Sequence, residues 1–210
     1  EGDIQAAGGK WADAATSYRR ALDKGRDPQS LVKLHAALLR AERKGEADKL
    51  AADWLRDRPK DTAVRGYLAE RALAEKRYAD AAQLYRALNE IAPDNALVLN
   101  NLAWTASQVK DPKALEYGEQ ALKMAPDSAA ILDTVGMIQV EQGQAEKGLA
   151  NLNRAVSLAP DAASLRLNLA KAYAKLGRPA DARKEIETMM PKLKEGTPVH
   201  SEAAALLKTL

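Results

Sequence analysis

The sequence predicts an all-α fold, a solenoid of antiparallel helix hairpins, and three observations carry that prediction. Pro59, Pro93, Pro126 and Pro160 recur at nearly equal intervals, and a period in the low thirties marks a repeat unit of two helices. Within a period the apolar residues recur at steps of three and four, as amphipathic helices require. The 12 glycines and 9 prolines fall between those stretches, where they stop and start helices.

The units follow in order. Residues 1–27 read as a truncated first unit, in which residues 9–22 form a second helix whose partner is cut short. Residues 28–61 are irregular, because the expected turn, Gly45, lies closer to Pro59 than Gly143 lies to Pro160. Residues 62–94 and 95–127 follow, the latter a residue short and with Asp111-Pro112 in place of a glycine turn. In 128–161 the first helix aligns Leu132, Val135, Gly136 and Gln139 on one face until Gly143 ends it. The second aligns Gly148, Leu152, Ala155 and Val156 until Pro160. Residues 162–196 repeat the scheme as Leu169, Ala170, Tyr173, Gly177, Ala182 and Ile186. The aspartates after the prolines, Asp94, Asp127 and Asp161, are expected to cap the next helix by accepting from its free N–H groups. Residues 197–210 read as one further helix, a cap over the apolar face of the last hairpin.

Composition narrows the function. Alanine supplies 43 of 210 residues and phenylalanine none, so helices must approach closely around small side chains. Charges of both signs are interspersed to a net +3, too little and too evenly spread to predict nucleic-acid binding. Without cysteine there is neither a disulfide framework nor a thiolate metal site. No apolar run reaches the length of a membrane span. The chain opens inside repeat sequence, so any signal peptide or lipid anchor of the parent protein would lie upstream of Glu1.

Residues 165–177, Leu-Arg-Leu-Asn-Leu-Ala-Lys-Ala-Tyr-Ala-Lys-Leu-Gly, resemble the first helix of a tetratricopeptide repeat, and residues 78–93, with Tyr78, Ala81, Tyr85 and Pro93, resemble its second. The resemblance covers nearly the whole chain. It implies a right-handed superhelix with the first helix of each unit lining a concave side. Leu99-Asn100-Asn101-Leu102-Ala103-Trp104, Asp133-Thr134-Val135-Gly136 and Glu202-Ala203-Ala204-Ala205-Leu206-Leu207 also resemble the C-terminal region of tetratricopeptide lipoproteins of bacterial exosortase and exopolysaccharide systems. That resemblance implies an exported, periplasmic or membrane-anchored parent protein.

No catalytic, metal or cofactor site is expected. His35 and His200 are far apart and lie in no metal-ligand spacing, and His35 reads as a packing residue. Carboxylates such as Glu42, Glu46, Asp48, Glu185 and Glu187 read as solvated faces. The glycines form no phosphate loop. Trp11 with Tyr18, and Tyr78 with Tyr85, lie two turns apart and are expected to pack hairpin interiors.

The surface left over is the groove that the resemblance projects. Its residues are Asn100, Asn101, Trp104 and Gln108, then Asp133, Met137 and Glu141, then Asn168, Lys171 and Lys175. Amides can pair with a peptide backbone, Trp104 and Met137 supply adaptable apolar contact, and Lys171 with Lys175 can hold a carboxylate. The partner expected is a protein or peptide. Asn101 and Asn168 can equally serve only to fix the packing of neighbouring units. Two alternatives stand beside a binding scaffold: homo-oligomerisation through the terminal helix, and a targeting arm for an enzyme outside this sequence.

Overall fold

A computed structural model describes residues 1–210 and contains helices but no strands. They are α1 (Gly2–Ala7), α2 (Trp11–Gly25), α3 (Pro28–Arg40), α4 (Lys44–Asp57), α5 (Thr62–Ala74), α6 (Tyr78–Ile91), α7 (Ala96–Gln108), α8 (Ala114–Met124), α9 (Ala129–Glu141), α10 (Ala145–Leu158), α11 (Ala163–Lys175), α12 (Pro179–Met189) and α13 (Pro198–Leu207), with a short 3-10 turn at Met190–Lys192. The chain divides into two compact units, Glu1–Pro93 and Asp94–Leu210. No helix is long and apolar enough to cross a membrane.

The hairpin phase is set by one backbone device. Gly9, Glu42, Lys76, Lys110, Gly143 and Gly177 all adopt positive φ and recur with the same period as the prolines. In each case the next residue donates its N–H to the carbonyl five positions earlier, as in Arg43 to Leu38, Arg77 to Ala72 and Gln144 to Gln139. This is the left-handed C-cap that satisfies a helix's last carbonyls and turns the chain back. It corrects the reading of residues 28–61. The turn is at Glu42, which precedes Pro59 by the same interval as Gly143 precedes Pro160, and Gly45 lies inside α4. The irregularity is therefore one of residue type, since a charged side chain occupies the place of a glycine. The short unit is shortened in α8, which has 11 residues where α6 and α10 have 14.

The expected aspartate caps fail at the three positions named. Asn95 caps α7, accepting from the N–H groups of Leu97 and Val98, while α9 and α11 follow Ser128 and Ala162, whose side chains make no capping hydrogen bond. Asp127 instead pairs with Arg154, and Asp161 with Lys192 at 3.0 Å. Aspartate caps do occur in residues 1–93, where Asp27 accepts from Ser30 N at 2.8 Å and Asp61 from Val64 N at 3.0 Å.

In residues 1–93 the core is built from Ala14, Leu31, Leu34, Leu38, Ala47, Trp54 and Val64. Trp54 is a buried tryptophan that the aromatic pattern did not single out. Its indole N–H donates to Asp61 at 2.8 Å, and the Arg58 guanidinium lies 3.7 Å from the ring centroid. Tyr85 is buried as expected, but Trp11, Tyr18 and Tyr78 are only half-buried. His35 is 3% exposed, with Nδ1 3.0 Å from the Tyr67 hydroxyl and the two rings edge to face. It is a packing residue. Burial, and then the charge of Arg71, push its pKa down to about 4.

In residues 94–210, α7 pairs with α8, α9 with α10, and α11 with α12. The first helices also pack on each other, α7 on α9 and α9 on α11, while α8 and α10 make no comparable contact. The first helices therefore line the inner side of this unit. Packing is closest between α9 and α10. A Cβ on Gly148 would lie 2.7 Å from the Gly136 carbonyl oxygen, and one on Gly136 would lie 2.9 Å from the Gly148 oxygen. Side chains larger than hydrogen would force the two backbones apart. At the end of the unit α13 lays Ala203, Val199, Leu206 and Leu207 against Leu167, Ala170, Ile186 and Met189.

The backbone geometry is open to direct test. Gly148→Ala should destabilise residues 94–210 by about 1–3 kcal/mol through overpacking, whereas Glu42→Gly should stabilise residues 1–93 by about 1 kcal/mol by removing a side chain from the left-handed region. Urea melts of the two variants should therefore shift in opposite directions. For His35 the unfolded imidazole titrates near the ordinary 6.5 and the folded one near 4, so its contribution is whole above pH 6.5 and is lost as pH falls toward 4. Between pH 7.5 and 4.5 the native protein should lose about 2 kcal/mol more than His35→Gln. Equal losses in paired melts would contradict the buried neutral ring.

Candidate functional site

The inward face of α7, α9 and α11 collects the projected groove residues in rows. Asn100, Trp104 and Gln108 lie at i, i+4 and i+8 on α7, and Asp133, Met137 and Glu141 do the same on α9, so each trio shares one helix face. Counted back from the left-handed residues Lys110, Gly143 and Gly177, the side chains Trp104, Met137 and Lys171 are all six positions away, and Gln108, Glu141 and Lys175 all two. Because α7, α9 and α11 pack side by side, equal position means neighbouring place.

The row nearest the turns opens into a cleft of about 530 Å³. Gln108, Glu141 and Lys175 line it together with Ser107, Lys110, Asp111, Ile138 and Gln142. Glu141 and Lys175 are not buried and form no ion pair, so both charges face water inside the cleft. In the middle row Trp104 and Met137 are half-buried. Lys171 belongs to that row but is already engaged, since its Nζ lies 2.7 Å from the Glu202 carboxylate of α13. The expected lysine pair for a ligand carboxylate is therefore reduced to Lys175.

The third row is polar and largely enclosed. Asn168 donates from Nδ2 to Asp133 Oδ2 at 2.7 Å, a bond from α11 to α9 that ties adjacent hairpins and supports a packing role for Asn168. Asn100 is 9% exposed, and its Nδ2 makes a long contact of 3.4 Å to Asn101 Oδ1. Asn101 is half-buried. Asn100 Oδ1 and Asp133 Oδ1 are both buried acceptors without a donor.

Residues 139–210 match the tetratricopeptide repeat family. A TPR repeat-containing protein of Pseudomonas aeruginosa is 32% identical in an alignment 155 residues long that covers 67% of this chain and 25% of that protein. This chain is a tetratricopeptide-repeat (TPR) protein. It spans about a quarter of the length of that curated relative. Among solved structures, a tetratricopeptide repeat protein from Parabacteroides merdae is similar with a TM-score of 0.78 at 17% identity, covering 99% of this chain and 88% of that one. YrrB, described as a TPR protein with an unusual peptide-binding site, is similar with a TM-score of 0.63 at 16% identity, covering 93% and 100%. At these identities the likeness is one of fold.

Two polar features of this TPR protein do not follow from the sequence pattern as read. Glu185, assigned to a solvated face, has a side chain only 18% exposed and pairs at 2.7 Å with Arg166, itself 20% exposed. The signal was present in the repeat: Arg166 stands eleven positions before Gly177, the place that Arg65 holds before Lys76, and both donate to the carbonyl of a helix-stopping proline, Pro160 and Pro59. The second feature is the burial of Asp133, which pushes its carboxyl up to about 6 against the opposing pull of Asn168 and Lys171. No periodicity separates a buried aspartate from an exposed one on a helix that faces both core and groove.

The sign for Asp133 is opposite to that for His35. Its folded pKa is raised above the ordinary 3.8, so the stability it contributes is whole below pH 3.8 and is lost as pH rises through 6. Relative to Asp133→Asn, the native TPR protein should gain about 2 kcal/mol when pH is lowered from 7.5 to 4.5. A difference that stays constant across that range in paired denaturant melts would show the carboxylate to be solvated.

Proposed function

We propose that this chain is a non-catalytic scaffold that holds a segment of a partner protein across the inward face of α7, α9 and α11. One observation carries the reading: three successive hairpins bring Gln108, Glu141 and Lys175 to one cleft, and Glu141 and Lys175 have no partner within the chain. Beside that cleft Trp104 and Met137 offer half-buried apolar surface, the kind of anchor that dominates protein interfaces. Most of the groups lining the cleft are donors, acceptors and charges suited to recognition, and neither histidine is among them. The fold likeness to a TPR protein with a peptide-binding site is consistent with this use. The finer setting, an exported scaffold of an envelope or exopolysaccharide system, rests on the resemblance at Leu99–Trp104 and Asp133–Gly136, and recovery of the parent gene with its neighbours tests it.

Selection from a random peptide display library against the whole chain tests the binding face. Enriched peptides should lose at least tenfold in affinity, about 1.4 kcal/mol, for the double variant Trp104→Ala, Met137→Ala, whose helical circular dichroism should be unchanged. Peptides that bind native and variant chains equally would remove the face from consideration.

A further inference from the structure

Resting on the reading of this face as a capture surface, the geometry points to a basic amphipathic partner segment, one that sets two cationic side chains and an intervening apolar one along α9. The stripe on α9 is Asp133, Met137 and Glu141 at i, i+4 and i+8. Its two carboxylates are two turns apart, about 12 Å along the helix axis. Neither is paired with a cation of the chain: Asp133 is held by the neutral amide of Asn168, and Glu141 has no partner.

The surroundings reinforce the sign. On the α7 side the flanking groups of the helix are Asn100, Trp104 and Gln108, which are neutral, and in the turn beyond it Lys110 and Asp111 line the cleft with opposite charges. On the α11 side Lys171 is paired with Glu202 of α13, so Lys110 and Lys175 are the cations set against Asp111, Asp133 and Glu141, an excess of one negative charge. A helix with Arg or Lys at i and i+8 and an apolar residue at i+4 matches the stripe residue for residue, since such positions share a face. This inverts the expectation drawn from Lys171 and Lys175, which pointed to a carboxylate ligand.

The test uses the whole chain and two fluorescent alanine-rich helical peptides, one with Arg, Leu and Arg at i, i+4 and i+8, the other with Glu, Leu and Glu. Anisotropy titrations should show the Arg peptide binding and the Glu peptide not. Asp133→Asn and Glu141→Gln, both near-isosteric, should each weaken the Arg peptide about tenfold while the helical circular dichroism holds. Affinity should also fall with added salt. It should fall again as pH drops below 6 and Asp133 takes up its proton, Lys171 being the charged group that bears on it and Glu202 the one that holds Lys171. Binding of the Glu peptide instead, lost on Trp104→Ala, would overturn the charge assignment and leave the capture face standing. Equal binding of both peptides, or Arg-peptide affinity untouched by either carboxylate variant, would also overturn it. Binding of neither would overturn the basic-segment assignment, while the capture face itself is decided by the display selection.

Discussion

The left-handed residue that closes each hairpin, with the hydrogen bond made across it, is the constraint on which the rest of the molecule depends. It ends the first helix at a fixed residue, turns the chain so that the second helix lies antiparallel, and thereby fixes which side chains face inward. Three of the six such positions hold glycine, and three hold Glu42, Lys76 and Lys110. The bond persists across both kinds, so the hairpin tolerates the steric cost of a side chain in that region. Registration of the whole array follows from this local geometry more than from any one apolar contact.

Much of this was legible from spacing. Prolines and glycines marked the period, and the recurrence of apolar positions marked the buried faces of α9, α10, α11 and α12 nearly residue for residue. What misled was residue identity at the turns: Gly45 drew attention because glycine usually marks a turn, while the backbone placed the turn at Glu42. The aspartate caps failed for a related reason. A capping residue must sit immediately before the helix, and in residues 94–210 the helices begin a residue later than the proline-aspartate step suggested, after Asn95, Ser128 and Ala162.

The face itself was readable as a set of positions but not as a chemistry. Which residues of α7, α9 and α11 share a side follows from helical geometry. Which of them are already spoken for does not, because Lys171 is engaged by Glu202 and Asp133 by Asn168, contacts between residues on different helices and far apart along the chain. A basic-looking stretch on α11 and a mixed one on α9 therefore exchange character once the helices are packed. The buried acid in α9 and the buried imidazole in α3 then respond to pH with opposite sign, one in each compact unit.

The close approach at Gly136 and Gly148 bears on recognition as well as on packing. With two backbones in van der Waals contact, α9 and α10 cannot shear past each other without opening a gap along their length, so the helix that carries Asp133, Met137 and Glu141 is backed like a plank nailed to a beam. A surface mounted that way surrenders little freedom when something settles on it, and the entropy that a softer loop would forfeit on binding remains with the partner alone.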